Sequence, residues 1–191
     1  MKDVWFSSDY HLGHTNIIKF CKRPFKDAEE MNEAIIANHN ALVKPGDEVY
    51  HHGDMFFKIK YDEISYLMSR FNGLFHVIKG NHDKLSTLQQ LQKDGLIETY
   101  QDVLGKEVNG TYIWMSHYPH RSWNRAFHGA IHTYGHVHSL NNKCTWRQAI
   151  DVGVDGWDYK PAHYDEMVDA IIKGTKELEL AQAISSSRVK P

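Results

Sequence analysis

The sequence has few cysteines and no long apolar run, and each shortage excludes a class of protein. Two cysteines among 191 residues, Cys21 and Cys144, allow one disulfide at most, too few for a disulfide-stabilised secreted scaffold. No stretch approaches the roughly 18–20 apolar residues of a membrane helix, and residues 1–6 lack the apolar run of a signal peptide. We therefore expect a cytoplasmic protein with no membrane partner.

The sequence also lacks a strong excess of charge of either sign. Lys and Arg number 22 and Asp and Glu number 24, which gives a formal net charge of −2. Proteins that bind duplex nucleic acid usually present a basic surface, so long duplexes are disfavoured as partners. No repeat or linker is visible, and this length suits one domain with a sizeable core. We assign residues 1–175 to that domain and 176–191 to a C-terminal tail that is partly flexible.

Histidine, in contrast, is abundant, with 14 residues. It is the commonest metal ligand and the usual acid or base near neutral pH. In Gly135-His136-Val137-His138 the two imidazoles would point to one side of an extended strand, since side chains alternate between faces. Gly135 would let the backbone turn sharply before them. Alone, this motif is a weak indication of a metal site.

Further metal-ligating side chains follow predicted strands. The first half reads β-α-β-α-β-α, with strands over 4–8, 48–52 and 74–79, and ligands collect where strands of α/β sheets end. The candidate metal ligands are Asp9, His11, Asp54, Asn81, His117, His136 and His138. Asp54 is our choice to bridge two cations held roughly 3.5–4 Å apart. Oxygen and nitrogen ligands without thiolate suit Mn, Fe, Co, Ni or Zn.

The second half is predicted to be mostly β-structure. Strands are expected over 97–104, 106–116, 130–134 and 144–152, with Asn109-Gly110 as a tight hairpin turn and a last helix after Pro161. Two stacked sheets with helices outside fit this order, and a single large mixed sheet fits the same layers.

The order of the motifs resembles the calcineurin-like metallophosphoesterase superfamily. Asp-x-His, Gly-Asp, Gly-Asn-His-Asp, a lone His and Gly-His-x-His span residues 9–138, and residues 151–155 look like the closing strand. Each motif is common alone, whereas five in this order are highly specific. The resemblance implies a small single-domain phosphoesterase with a four-layer α/β/β/α sandwich of two mixed β-sheets flanked by helices. It also implies two divalent metal ions, with Mn²⁺ favoured and Fe, Ni, Co or Zn as alternatives.

The resemblance assigns roles to the motif residues. One metal would take Asp9, His11, Asp54 and His138, and the other would take Asp54, Asn81, His117 and His136. His82, oriented by Asp83, would protonate the leaving oxygen or stabilise its charge. Two cations lower the pKa of a bridging water, and the resulting hydroxide would attack phosphorus in line. The expected function is hydrolysis of a small phosphodiester or nucleotide.

Several alternatives remain open. A phosphomonoesterase acting on small phosphate esters would use the same two-metal centre. Ser/Thr phosphoprotein phosphatases extend the second motif to Gly-Asp-x-Val-Asp-Arg-Gly, which residues 53–57 do not match, and lipid A pathway hydrolases carry Arg where His82 stands. Repair nucleases of the superfamily add domains for which 191 residues leave no room. A protein-binding scaffold such as retromer's phosphoesterase-like subunit has lost the catalytic His, which is present here.

Five further residues are candidates for contact with substrate. The loop 118–125 carries Arg121, Trp123 and Arg125, and Arg can grip phosphate oxygens while Trp can stack on a base. A solvated loop with an anchoring Trp fits this sequence equally well. His14 and His52 lie beside ligand motifs and could touch substrate or orient a ligand.

Overall fold

The protein is an α/β sandwich in which two mixed β-sheets are flanked by helices, which confirms the fold class that the resemblance implied. The computed structural model describes residues 2–138, 144–146 and 148–188, with 144–146 and 177–188 described by their backbone alone. Each sheet has five strands, so the alternative of a single large sheet is wrong. Within the described ranges, no helix is both long enough and apolar enough to cross a membrane.

The first sheet is built from the N-terminal half and is completed by one short strand from the C-terminal half. In spatial order its strands are β10 (Ala162–His163), β1 (Val4–Ser7), β2 (Glu48–His51), β3 (Leu74–Ile78) and β4 (Thr99–Gln101). Strands β1 to β4 are parallel, and β10 is antiparallel to β1. The carboxyl ends of β1, β2 and β3 therefore meet at one edge, where ligands bind in parallel sheets.

The second sheet is built from the C-terminal half. In spatial order its strands are β5 (Val103–Val108), β6 (Thr111–Ser116), β7 (Ile131–Tyr134), β9 (Ala149–Asp151) and β8 (Cys144–Trp146). Strands β6, β7 and β9 are parallel, whereas β5 and β8 run antiparallel to their neighbours. Strands β5 and β6 form the predicted hairpin, with Asn109 and Gly110 both at positive φ.

The helices are α1 (Thr15–Phe20), α2 (Ala28–Asn40), α3 (Tyr61–Met68), α4 (Leu85–Lys93) and α5 (Tyr164–Arg188). Helix α2 begins after Asp27, whose carboxylate accepts a 2.8 Å hydrogen bond from the Glu30 amide, as the sequence predicts. Helices α1 to α4 contribute apolar residues to a buried cluster with Trp5 of the first sheet. Helix α5 contributes Met167 to a second cluster, which also contains Phe6 of the first sheet and Ile150 of the second.

The two sheets are joined where their parallel strands end. The amide of Val154, just after β9, donates to the carbonyl of Ser8, just after β1, over 3.1 Å. The amide of His136, after β7, donates to the Asp9 carboxylate over 2.9 Å. The loops that follow β1, β7 and β9 therefore form one continuous rim.

Three predicted strands differ from those observed, and one observed strand was not predicted. The strand predicted over 144–152 is two antiparallel strands, β8 and β9. The strand predicted over 97–104 is two strands, β4 and β5, because the chain crosses from one sheet to the other at Asp102. The predicted closing strand over 151–155 ends at Asp151, and Val154–Gly156 is a short 3₁₀ helix. Strand β10 was missed because two residues are too few to show an alternating pattern.

The predicted boundary near residue 175 falls inside helix α5, which continues to Arg188. Residues 189–191 of the predicted tail lie outside the described residues, so the division into a domain and a tail stays a prediction. The thiol of Cys21 is free.

Candidate metal centre

Seven predicted ligands lie together at the rim where the parallel strands end. The first sheet supplies Asp9, His11, Asp54 and Asn81, and the second sheet supplies His117, His136 and His138. In six of them, potential ligand atoms form two groups of three, each within 4.8 Å. We call Asp9, His11 and His138 the deep triad, because Asp9 and His11 are buried. We call Asp54, His117 and His136 the shallow triad, because the His136 side chain is exposed.

One carboxylate oxygen links the two triads. Asp54 Oδ2 lies 3.7 Å from His11 Nε2 and 3.6 Å from His117 Nε2. The other oxygen, Oδ1, accepts a 2.8 Å hydrogen bond from the His82 amide, which fixes the carboxylate plane. The Asp54 carboxylate therefore lies between the two triads, within 3.7 Å of a histidine nitrogen of each.

The deep triad contains polar atoms that need a partner. Asp9 Oδ1 and His11 Nε2 are buried 3.8 Å apart, and neither has a hydrogen-bond partner among the described residues. His138 Nε2 lies 4.0 Å from the same Asp9 oxygen. Leaving such atoms unpaired costs about 1–3 kcal/mol each. A divalent cation would satisfy them together, and mixed carboxylate and imidazole ligands suit Mn²⁺, Fe, Co, Ni or Zn²⁺.

The shallow triad also presents acceptors to one point. His117 Nδ1 lies 2.7 Å from the carbonyl oxygen of His52, which can only accept a hydrogen bond. Nδ1 therefore donates this hydrogen bond, and Nε2 lies on the opposite side of the ring. Asn81 Oδ1 lies 2.9 Å from that Nε2, and Asp54 Oδ2 lies 3.6 Å from it. These two oxygens and one imidazole nitrogen are the kinds of atom that hold a divalent cation.

The backbone of the ligands is strained in a consistent way. Five of the seven have left-handed φ angles: Asp9 (60°), His11 (52°), Asp54 (55°), His136 (70°) and His138 (53°). This conformation costs on the order of 1–3 kcal/mol for a residue other than glycine, although Asp and His tolerate it better than most. Such strain persists where surrounding contacts fix the backbone, and it is concentrated here on the candidate ligands.

The prediction that His136 and His138 share one face of a strand is wrong. Strand β7 ends at Tyr134, and both histidines follow it in left-handed turns, so His136 joins the shallow triad and His138 the deep triad. Gly135 is also needed for a different reason than predicted. Its φ is not positive, but a Cβ there would overlap Ser8 Oγ and Asp9 Oδ2.

Arg23 and Asp155 support the deep triad, and the sequence reasoning assigned them no role. Asp155 Oδ2 lies 2.8 Å from His138 Nδ1, so the carboxylate orients the imidazole. The buried Arg23 guanidinium forms two 2.8 Å hydrogen bonds with Asp155 and one of 2.8 Å with the carbonyl of Asp9. Arg23 has no neighbouring motif that could have indicated this contact, whereas Asp155 lies in the segment expected to close the sheet.

Burial and neighbouring charges shift the pKa values of the deep triad. Burial raises the pKa of Asp9 to about 6, although the charge of His138 opposes the shift. Burial alone would lower the pKa of His138, but its hydrogen bonds to Asp155 and Cys21 and the charge of Asp9 raise it to about 10. Burial lowers the pKa of His11 far below its usual value. The His11 imidazole is therefore neutral, and the Asp9 carboxylate is protonated at a higher pH than an exposed carboxylate.

The structure places His82 beside the Asp54 carboxylate, but it does not give Asp83 the role of orienting His82. The His82 ring is partly exposed, and its Nε2 lies 3.8 Å from Asp54 Oδ2. The Asp83 carboxylate does not orient that ring. It is buried and accepts hydrogen bonds from the amides of Asp54, Met55 and Gly80 at 2.8–3.1 Å. Asp83 therefore fixes the loops that carry Asp54 and His82.

Of the two histidines beside ligand motifs, only His14 reaches the centre. Its Nδ1 lies 3.4 Å from His11 Nδ1, and its ring stacks on Phe57 at 3.6 Å between centroids. His52 is fully buried, and its Nε2 lies 2.7 Å from the Thr133 hydroxyl between the sheets. The prediction that the His52 side chain contacts substrate is therefore wrong. The backbone carbonyl of His52 orients His117 instead.

The loop after His117 does not present its Trp to substrate. Trp123 is 7% exposed and donates its indole N–H to the Ala130 carbonyl over 2.9 Å, so it anchors the loop. The Arg125 guanidinium stacks over Tyr112, 4.6 Å from the ring centre, near the start of β6 and five residues before His117. The prediction that the Trp123 ring stacks on substrate is therefore wrong, whereas a substrate-binding role for the exposed Arg125 stays a prediction. Arg121 lies on the surface and keeps its predicted role as a hypothesis.

Similar folds are found among solved structures. A protein of unknown function from Aquifex aeolicus superposes with a TM-score of 0.73 and 25% identity, covering 88% of this chain and 99% of that chain. An archaeal phosphodiesterase superposes with a TM-score of only 0.46 and 16% identity, covering 79% and 82% of the two chains. The second similarity is too low to carry an argument.

No family model matches the chain. Among curated proteins, the gene 66 protein of Mycobacterium phage L5 is 25% identical, and the match covers 90% of this chain and 95% of the phage protein. An uncharacterised protein of Methanocaldococcus jannaschii is 35% identical over 183 residues, covering 91% of this chain and 94% of the archaeal protein. The chain therefore belongs to the same protein family as the Methanocaldococcus jannaschii protein.

Proposed function

We propose that the protein is a dinuclear metal-dependent phosphoesterase of the calcineurin-like metallophosphoesterase type, and that it hydrolyses a phosphodiester of a small molecule or nucleotide. One observation carries the proposal. Two triads of metal-ligating side chains share Asp54 Oδ2, and the deep triad leaves Asp9 Oδ1 and His11 Nε2 buried without a partner in the described part of the chain. A protein without bound cations would leave these costs uncompensated.

The residues of the centre have distinct roles in this proposal. The deep triad with Asp54 would hold one ion, and the shallow triad with Asn81 would hold the other, with Mn²⁺ as the favoured ion. Two bound divalent ions would neutralise charge on the phosphoryl oxygens and lower the pKa of a water nucleophile. His82, partly exposed beside Asp54, would donate a proton to the leaving oxygen.

The surface beside the centre favours a diester over a monoester. A cavity of about 260 Å³ is lined by His82, and a second cavity of about 370 Å³ is lined by Asn81 and His117. Two groups are attached to the phosphorus of a diester, and one cavity is available for each. A phosphomonoester would occupy only one of them.

The test compares two substrates on the same metal-free protein after addition of Mn²⁺: bis-p-nitrophenyl phosphate and p-nitrophenyl phosphate. We expect the diester to be hydrolysed with the higher kcat/KM. His82→Ala should reduce kcat about 10²–10⁴-fold, the usual contribution of a general acid. Asp54→Asn should lose activity and bound metal together. The exposed residues His128 and Asp62 supply matched controls, His128→Ala and Asp62→Asn, which should retain both.

Three outcomes would contradict the proposal at different levels. Failure to bind metal under any condition would remove its basis. Preference for the monoester would favour a phosphatase. Two bound metals without turnover of either ester, and without turnover of nucleotide diesters, would favour a non-catalytic scaffold.

A further inference from the structure

The cavity beside His82 combines an apolar wall with positive charge. Phe56, Ile64 and Leu88 are buried side chains that line it, and Lys58 and Lys84 lie at its exposed side. At about 260 Å³ it lies below the usual range of small-molecule pockets, roughly 300–1,000 Å³, so it suits one ring-sized group.

The lining of this cavity carries two lysines against the single carboxylate of Asp83, so a positive charge remains. Neither Lys58 nor Lys84 forms an ion pair with any described residue. Asp83 also lines the cavity, but three backbone amides already engage its carboxylate. Helix α4 begins at the cavity with no acidic residue in its first turn, and the N-terminal end of a helix favours negative charge.

The cavity lies on the side of the proposed proton donor. Phe57 connects them, since its ring centre lies 5.0 Å from the His82 ring and 5.0 Å from Lys58 Nζ. A group that takes a proton from His82 would therefore extend past Phe57 toward Lys58. The cavity beside Asn81 differs, because Lys79 and Asp102 both line it and their charges balance.

We propose that the cavity beside His82 binds the leaving group of the substrate, and that this leaving group carries a negative charge besides the reacting phosphate. The inference rests on the proposed function and names its substrate class: diesters whose departing alcohol combines an apolar ring with an anionic group, as a nucleoside phosphate does. Hydrolysis breaks the bond between phosphorus and the leaving oxygen, water supplies the new P–O bond, and the leaving oxygen gains the proton held by His82.

The test uses two diesters that differ in leaving-group charge, and each kcat/KM is divided by the uncatalysed hydrolysis rate of the same ester, because the carbamoyl group also makes its phenol the better leaving group. Methyl 4-carboxyphenyl phosphate releases an anionic phenol, and methyl 4-carbamoylphenyl phosphate releases a neutral phenol of nearly the same shape. We expect kcat/KM to be about tenfold higher for the carboxylate ester, since ion pairs with two exposed lysines are individually weak. The preference should decrease as sodium chloride is added.

Variants of the two lysines test whether the preference for the carboxylate ester arises in this cavity. Lys58→Gln combined with Lys84→Gln should bring the ratio of the two kcat/KM values close to one. Lys93→Gln, in the last turn of the same helix, is the matched control and should preserve the ratio. An equal preference in the native protein, or a ratio unaffected by the double variant, would overturn the inference.

Calorimetric binding of the two esters separates this inference from the proposed function. If neither ester is hydrolysed, tighter binding of the carboxylate ester that is lost in the double variant still supports the cavity assignment, and equal binding overturns it. If the neutral ester is hydrolysed without any charge preference, the proposed function stands and the inference fails.

Discussion

The two triads contain the same residue types, one Asp and two His, but differ in their surroundings. In the deep triad Asp9 is fully buried, and Arg23 and Asp155 support it from behind. In the shallow triad the His136 side chain is exposed, and Asn81 beside it is exposed as well. Motif spacing indicates which atoms can bind a metal, whereas burial and supporting contacts determine how firmly each ion is held. We therefore expect the ion of the deep triad to exchange more slowly.

The largest effect should come from removing one histidine from either triad. His138→Ala should reduce the affinity of the deep triad for its ion about 10²–10³-fold. The variant removes one of four ligands, and the binding free energy of a four-ligand zinc site is roughly 10–16 kcal/mol. His136→Ala should release the shallow ion and leave the deep ion bound. Metal content after dialysis against a chelator measures both. Loss of both ions in both variants would show that the triads do not act separately.

Acid should lower the stability of both halves of the molecule to a similar extent, whereas removal of metal by a chelator should distinguish the two triads. Burial lowers the pKa of His39, in α2, to about 4 and that of His132, in β7, to about 4. In the unfolded chain the two imidazoles take up protons near pH 6.5, whereas in the folded protein they stay neutral until about pH 4. The free energy of unfolding therefore falls as the pH decreases from 6.5 toward 4. Each residue should contribute about 3 kcal/mol to this loss.

Denaturant midpoints of the metal-free protein, measured across this pH range, test that expectation. His39→Gln and His132→Gln should each reduce the dependence of the midpoint on pH, whatever they do to stability at neutral pH. An unchanged pH dependence in both variants would exclude these two histidines as its cause.

The smallest expected effect separates ligand from support. Asp155→Asn keeps the size of the side chain but weakens its hydrogen bond to His138, so the affinity of the deep ion should fall about 10–100-fold. The shallow ion should be unaffected. Asp158→Asn, three residues further on and exposed, is the matched control. Equal weakening of both ions would mean that Asp155 supports the whole rim rather than one triad.

Much of the rim was predictable because its signals are local. Short apolar strands followed by Gly, Asp, Asn and His placed Asp9, Asp54 and Asn81 at strand ends, and the structure brings them together. The hairpin at Asn109-Gly110 and the cap at Asp27 follow from the conformations that those residues favour.

The contacts that depend on distant segments were not predictable. Arg23 and Asp155 meet across 132 positions of the chain. Trp and His are residue types that often bind ligands, but Trp123 and His52 are buried by packing against the second sheet. His136 and His138 join different triads because each adopts a left-handed φ angle, and no pattern of residue types specifies those angles.

The link from Arg23 to Asp155 also determines when the deep triad can form during protein synthesis. Asp9 and His11 leave the ribosome early, but His138 and Asp155 are made only after more than a hundred further residues. At a synthesis rate of about 5–20 residues per second, the first ligands wait roughly 6–30 seconds for the last. The nascent chain therefore exposes only part of the candidate ligand set during that interval, and the full set is available only after residues 138–155 have been synthesised.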